Sequence, residues 1–322
     1  MTRPAFIWCL VLPALLGCGG QAPQGTLVSR DLLTAGDELV TQNGMSTNGM
    51  STNGMSTNGM STNGLSLSAT GVGSSTVSTK GLSNQTLASA AFNAWFQQNA
   101  TYSNMVMTYV VRCAVPSGQT RTYTGGGTTY SWPGLLGVAP VWSSGAAIPV
   151  LEQQLVSACL AAHANRFGLH VDFSIEGYRG DGLPIPLATG ESAAYPIQEG
   201  SFFGNLFNGG SVYSCSMGKT DTAGVSGPRE CAMSDMPSNV CAPMINTDQP
   251  CWNMCVGANV PGVGWIYVSC TAPNGQVYPA LDTSLSSSDI YWCGDGVCQF
   301  TESCYNPSNG TGCLADCGQC GG

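Results

Sequence analysis

Charge is what this 322-residue chain has least of: 8% of its residues are Asp, Glu, Lys or Arg, against about 25% in an average soluble protein. Bases are the scarcer sign, with 9 Lys and Arg against 18 acids. No basic cluster exists, so nucleic acid and an anionic membrane surface are poor partners. The chain has 2 histidines, His163 and His170, which leaves little material for an elaborate acid/base or metal site. No apolar run approaches the ~20 residues that cross a bilayer as a helix. Between Gly19 and Ser83 there is neither cysteine nor aromatic residue, so that stretch has no means of closing a core of its own. Ser, Thr, Asn, Gln and Gly must cover most of the surface.

The chain begins with Arg3 followed by an apolar run of 13 residues, Ala5 to Gly17. A short positive region before a short apolar one is signal-peptide anatomy. The run ends Leu15-Leu16-Gly17-Cys18, which resembles the bacterial lipoprotein signal box. The resemblance implies cleavage before Cys18, diacylation of its sulfur and acylation of the new amine, so residues 1–17 leave and Cys18 joins the lipid bilayer. Three acyl chains satisfy the two-signal requirement for stable anchoring. The competing account is an ordinary secretory signal with a chance cysteine. Residue 19 is Gly rather than Asp, which favours an outer-membrane or cell-surface address.

Residues 18–83 then read as lipid anchor and tether. Met45, Met50, Met55, Met60 and Leu65 recur every 5 residues, a period that fits neither helix nor strand. A β-solenoid would need several stacked turns to bury a core, and this repeat supplies barely one. Asn-Gly pairs favour local turns. The expectation is a flexible tether with a reach of about 45 Å, or else a short turn-rich patch.

Cysteines organise the rest of the chain. There are 16 in all. Cys9 leaves with the signal and Cys18 carries lipid, so an even set remains in an exported chain, which reads as a disulfide framework. Cys113, Cys159, Cys215, Cys231, Cys241, Cys251, Cys255 and Cys270 form one even subset. Cys293, Cys298, Cys304, Cys313, Cys317 and Cys320 form another. Each subset can close its bridges internally, which places a domain boundary near residue 290.

Residues 84–290 suffice for one sizeable core, and the pattern predicts a disulfide-rich α+β domain of helices and antiparallel strands. A helix is expected from Asn84 to Gln98, with Asn84 as its cap. Met105 to Val115 is apolar and β-branched and predicts a strand, with Thr120 to Thr124 returning after the turn at Pro116-Ser117-Gly118. Pro149 opens a helix from Val150 to Phe167, whose inner stripe is Leu151, Leu155, Ala158, Cys159 and Ala162, capped by Gly168. Strands are expected at Leu169–Ile175, Ser211–Met217 and Trp265–Thr271. Val111 to Gln119 echoes Val268 to Gln276 at 5 of 9 positions, which a duplicated hairpin or convergent turn chemistry explains; Pro and Gly are what such turns demand.

Candidate chemistry is thin. His163 and His170 are weak candidates for catalysis or metal binding beside Asp172 or Glu176. The plainer account of His163 is a favourable contact with the helix C-terminal dipole. Gly190-Glu191-Ser192-Ala193-Ala194 is close to the serine-hydrolase elbow, but no histidine follows it. Gly218-Lys219-Thr220 fails as a phosphate loop because its first glycine falls on Tyr213. Arg179-Gly180-Asp181 spells an integrin tripeptide, and Cys317-Gly-Gln-Cys320 has redox spacing without a following helix; both read as coincidence. Trp132, Trp142, Tyr178 and Tyr195 lie in Gly/Pro-rich loops, where they could stack on glycans or pack in the core.

Residues 291–322 carry the most motif-like stretch, Cys293-Gly-Asp-Gly-Val-Cys298 through Glu302 and Cys304 to Cys313-Leu-Ala-Asp316-Cys317-Gly-Gln-Cys320. It resembles the short C-G-D-G-x-C…D-C-G-x-C modules that end exported proteins of myxobacteria, and the tether resembles the N-G-L/N-G-M repeats of myxobacterial lipoproteins. A piece this small and apolar-poor is held by bridges or metal. Its charges are Asp295, Glu302 and Asp316, all acids, and hard oxygen ligands suit Ca2+. The sequence thus implies an exported, membrane-anchored lipoprotein acting as a surface binding or structural protein for a glycan or protein ligand. The alternative is an exported hydrolase using His163 or His170 with a nearby carboxylate.

Overall fold

The computed structural model describes residues 60–61, 76–165, 172–217, 243–285, 306–308 and 312–319. They form a disulfide-bonded α+β fold in which short helices and one hairpin precede a mixed sheet of 7 strands.

The fold starts earlier than the composition shift at residue 84. Helix α1 (Thr76–Lys80) lies within the stretch assigned to the tether, and Val77 and Leu82 are fully buried. The Trp142 indole N–H donates to the Val77 carbonyl at 2.8 Å, and Ile148 N–H donates to Ser78 O at 3.0 Å. Within the Met repeat, Met60–Ser61 forms strand β1, which pairs in parallel with β4 (Ala164–Asn165). The helix expected from Asn84 to Gln98 divides into α2 (Asn84–Leu87) and α3 (Ala90–Phe96). Its caps are serines: Ser83 Oγ accepts from Thr86 N at 3.2 Å and Ser89 Oγ from Phe92 N at 3.3 Å, so the second cap interrupts the run. Asn84 serves elsewhere, its Oδ1 accepting from Thr122 N at 2.9 Å.

The strand expected at Met105–Val115 is the end of a helix, α4 (Ala100–Ala114). Buried Ser103, Val106, Met107, Val110, Val111 and Ala114 follow the 3.6-residue period. The low helix propensity of valine is a few tenths of a kcal/mol and yields to burial of this stripe. The echo between Val111–Gln119 and Val268–Gln276 is therefore turn chemistry, since Cys113 sits on a helix and Cys270 on a strand. Strands β2 (Thr120–Gly125) and β3 (Thr128–Pro133) form a hairpin closed by Gly126 and Gly127. Both have positive φ, 60° and 80°, as a two-residue turn of this hand requires. Phe96 packs on Tyr123 and Tyr130 of this hairpin, each at 4.7 Å between centroids.

Helix α6 (Val150–His163) follows the short α5 (Pro140–Ser143) and stops before the expected Phe167. Of its expected inner stripe, Leu155, Ala158, Cys159 and Ala162 are buried, whereas Leu151 is exposed. It packs on β6 (Ile197–Gly204), β7 (Val212–Ser216) and β11 (Val277–Leu285), and Cys159 is bridged to Cys113 of α4. The remaining strands are β5 (Phe173–Glu176), β8 (Met244–Pro250), β9 (Cys255–Val260) and β10 (Gly264–Thr271). Their order is β8-β7-β6-β11-β10-β9, with β5 also paired to β11 and β7–β8 the parallel pair within this sheet. One face carries Phe173, Ile175, Phe202, Val212, Leu281 and Leu285 into the helical layer. The other gathers Phe203, Tyr213, Tyr267, Tyr278 and the sulfurs of Cys215, Cys251 and Cys270.

Glu152, in the first turn of α6, is 1% exposed and caps α5 from outside: its Oε1 and Oε2 accept from Val141 N at 2.8 Å and Trp142 N at 2.9 Å. Burial raises its carboxyl pKa, and these two N–H groups oppose the rise. Glu152→Gln replaces one acceptor by a donor and strands a buried N–H, so urea denaturation should show a loss of about 1–3 kcal/mol. A change within about 0.5 kcal/mol, as for ordinary surface substitutions, would contradict this role.

Candidate functional site

Strand β11 has β6 along one edge and shares the other between two strands. β10 pairs with it at Val277–Pro279, and β5 takes over at Asp282–Leu285. A register shift between Tyr267 and Ser269 marks where β10 turns away. The departing half of the β9–β10 hairpin is held by side chains of the sheet. Asp282 Oδ2 accepts from Tyr267 N at 2.7 Å, and Gln198 Nε2 donates to Trp265 O at 2.8 Å.

Residues opposite one another on paired strands share a face. One row therefore reads Glu176, Asp282, Ser201, and the next Ser174, Ser284, Gln198. All but Gln198 are buried. The Ser201 hydroxyl donates to Asp282 Oδ1 at 2.5 Å, Ser284 to Glu176 Oε2 at 3.2 Å, and Ser174 to Glu191 Oε1 at 2.7 Å. Glu191 opens the short helix α7 (Glu191–Ala194) and also accepts from Ala188 N at 2.8 Å. At the neighbouring register shift, Thr283 donates to Glu199 Oε2 at 2.7 Å.

An open cleft of about 370 Å3 lies over this network. Glu176, Ser284 and Gln198 line it from the sheet, Ser192 and Tyr195 from α7 and its end, and Val263 and Trp265 from the hairpin. Trp265 is 51% exposed and stands edge-on to Tyr267 at 4.7 Å. Its ring lies across Gly257 of β9, where a Cβ would fall 2.1 Å from the indole, so any other residue there would displace the ring.

Burial raises the Glu176 carboxyl to about 7, and Glu191 adds to the rise while the Ser284 and Ser174 hydroxyls oppose it. Burial likewise holds Asp282 well above the usual carboxylate range, with the Glu176 charge acting in the same direction. Glu176 therefore reaches the cleft as a group that gives or takes a proton near neutrality, whereas both oxygens of fully buried Asp282 are engaged in holding the fold.

Of the residues singled out in the sequence, Glu176, Ser192 and Tyr195 line the cleft, and the others fall elsewhere. His163 is buried on the last turn of α6, its Nδ1 2.9 Å from Cys159 O and its ring between Tyr109 and Phe173 at 5.1 and 5.2 Å. His170 lies outside the described residues, and Asp172 is half-buried just before β5. Trp132 and Trp142 belong to the core, and Tyr178 is half-buried away from this cleft. Arg179 pairs with its own neighbour Asp181, Nη2 to Oδ2 at 2.5 Å, which occupies the charges of the tripeptide. Ser192 is exposed at the cleft but follows a glycine turn rather than a strand.

The bridges described are Cys113–Cys159, Cys215–Cys251 and Cys255–Cys270. Cys313 is also disulfide-bonded, and Cys317 ends helix α8 (Leu314–Cys317). Cys18, Cys231, Cys241, Cys293, Cys298, Cys304, Cys320, Asp295 and Glu302 lie outside the described residues, and Asp316 is placed only by its position in α8. Among the described residues, the His, Cys, Asp or Glu groups close enough to share a metal are Cys113, Cys159, His163 and Cys215, Cys251, Cys255. Their cysteines are bridged, and a metal needs thiolates.

No family model matches the chain, and neither a curated protein nor a solved structure matches it.

The raised Glu176 pKa carries a definite pH dependence. Above about pH 4.5 the unfolded side chain has lost its proton while the folded one keeps it, so stability falls as pH rises towards 7 and the whole penalty is present above that. Urea midpoints of wild type and Glu176→Gln between pH 5 and 8 should diverge, the variant gaining about 2–3 kcal/mol relative to wild type at the alkaline end. Parallel curves would show that Glu176 titrates normally.

Proposed function

We propose that the chain is an exported lipoprotein, anchored through Cys18 at the outer membrane or cell surface, that binds a neutral, hydroxyl-rich ligand in the cleft beneath the β9–β10 hairpin. The signal box supports the anchor. Among the described residues no helix is long and apolar enough to cross a membrane. One observation carries the binding reading: a half-exposed Trp265 stands beside Gln198, Ser284, Tyr195 and Glu176 in a cleft whose lining, among the described residues, contains no Lys, Arg or His. An aromatic face with hydroxyl, amide and carboxyl partners suits a glycan, and the absence of a cationic side chain gives an anionic ligand nothing to pair with.

Binding is favoured over catalysis by the geometry. Glycoside hydrolysis ordinarily needs two carboxyl groups flanking the bond, and among the described residues Glu176 is the acid that lines the cleft while Asp282 is spent on Ser201 and Tyr267. A hydrolase built on His163 would need an imidazole in a cleft, and that ring is packed in the core. The 291–322 segment is read as a separate Cys-rich module that takes Ca2+ through Asp295, Glu302 and Asp316, a reading that rests on its acid-only charge.

Neutral malto- and chitooligosaccharides titrated against the full chain should quench tryptophan fluorescence saturably, and Trp265→Ala should weaken the binding about tenfold, roughly 1.4 kcal/mol. Cys18→Ser should move the protein to the aqueous phase on detergent partition. No saturable binding, or binding indifferent to Trp265→Ala, contradicts the cleft; membrane retention of Cys18→Ser contradicts the anchor.

A further inference from the structure

The base of the same hairpin holds 4 cysteines in two bridges that touch. Cys255 and Cys270 face each other across β9 and β10, and Cys215 of β7 is joined to Cys251 in the short turn before β9. The sulfur of Cys215 lies 3.5 Å from that of Cys255, although neither belongs to the other's bridge. The Cys215, Cys251 and Cys255 sulfurs all fall within 4.8 Å of one another. Access to them is unequal. Cys215 and Cys251 are fully buried and Cys270 is 1% exposed, whereas Cys255 is partly accessible on edge strand β9, next to Val256 at 65% exposure. By contrast, both sulfurs of Cys113–Cys159 are fully enclosed.

We propose that these two bridges form a thiol-exchange centre whose substrate is a low-molecular-weight thiol, with Cys255 as the sulfur attacked from outside and Cys215 as the sulfur to which the bond is passed. Exchange proceeds by thiolate attack on a disulfide sulfur through a mixed disulfide. A first external thiolate bonds to Cys255 Sγ; the Cys255–Cys270 bond breaks and Cys270 leaves as thiolate. A second external thiolate attacks the external sulfur of that mixed disulfide, releasing the oxidised external disulfide and the Cys255 thiolate. Cys255 then attacks Cys215, already in contact, forming Cys215–Cys255 and expelling the Cys251 thiolate. Two external thiols are oxidised to one disulfide. One protein disulfide is lost, and Cys251 and Cys270 end as thiols after protonation. The staple moves from within the hairpin to between the hairpin and β7.

The test uses the full native chain with excess reduced glutathione, acid quenching, alkylation of free thiols and peptide mapping without reduction. Chymotryptic cleavage after Trp252 separates Cys251 from Cys255. The expected product is a Cys215–Cys255 linked peptide, appearing in step with loss of the Cys215–Cys251 peptide and with equal alkylation of Cys251 and Cys270, while Cys113–Cys159 stays intact. A time course without the Cys215–Cys255 peptide overturns the proposal, whether Cys255–Cys270 opens alone or both bridges resist. Cys270→Ser gives a second reading without any reductant: it should mature with Cys215–Cys255 bonded and Cys251 free. Maturation with Cys215–Cys251 bonded and Cys255 free overturns it equally.

Discussion

The buried carboxyl of Asp282 joins three strands by means other than the backbone ladder. It sits at the point on β11 where β10 departs and β5 arrives, takes the Ser201 hydroxyl from β6, and takes the Tyr267 N–H from β10. Tyr267 has left the edge of β11 at this point, and a buried N–H without an acceptor costs about 1–3 kcal/mol. The carboxyl supplies that acceptor and lets the hairpin turn from the sheet edge and form one wall of the cleft. Gln198 repeats the device one row further on, at the carbonyl of Trp265.

The hairpin is thus fixed at both ends by different chemistry. Its base is closed by Cys255–Cys270, a link across 15 residues worth about 3 kcal/mol in chain entropy. Its far end, with Val263 and Trp265, depends on Asp282 and Gln198. The cleft wall and the touching bridges belong to one element, so a transfer of the bond from Cys270 to Cys215 would loosen β10 from β9 while tying β9 to β7. The proposed ligand cleft and the proposed exchange centre therefore share one hairpin.

Much of the fold was legible in the sequence. The helix after Pro149 and the strands around Cys215 and Cys270 emerged from local pattern, although α6 and β7 are buried along most of their length rather than on one face. Helix α4 was missed because a valine-rich run satisfies both periods, and its choice is made by the core it meets. The start of the fold was placed late because α1 carries few apolar residues and is secured by carbonyls that groups distant in sequence reach: the Trp142 indole N–H donates to Val77 O at 2.8 Å and Ile148 N–H to Ser78 O at 3.0 Å. The site was the least visible part. Phe173-Ser-Ile-Glu176 and Leu281-Asp-Thr-Ser-Leu285 alternate in the way of strands with one face in water. That face is buried instead by the β9–β10 hairpin, which lies beside β11 in sequence but far from β5, and by Glu191 of α7; period-2 spacing of Ser174, Glu176, Asp282 and Ser284 was the signal available. The histidines drew notice by rarity, and His163 proved to be a core residue.

Amide hydrogen exchange of Asp282→Ala, with Asp282→Asn as the isosteric comparison, tests the central claim most directly. Loss of the acceptor should expose the amides of residues 264–267 and raise their exchange severalfold, while β6 and β7 keep their protection and Asn, which retains a carbonyl oxygen, restores most of it. Unchanged exchange at Tyr267, or a uniform acceleration across the whole sheet, would show that the hairpin does not hang from this carboxyl.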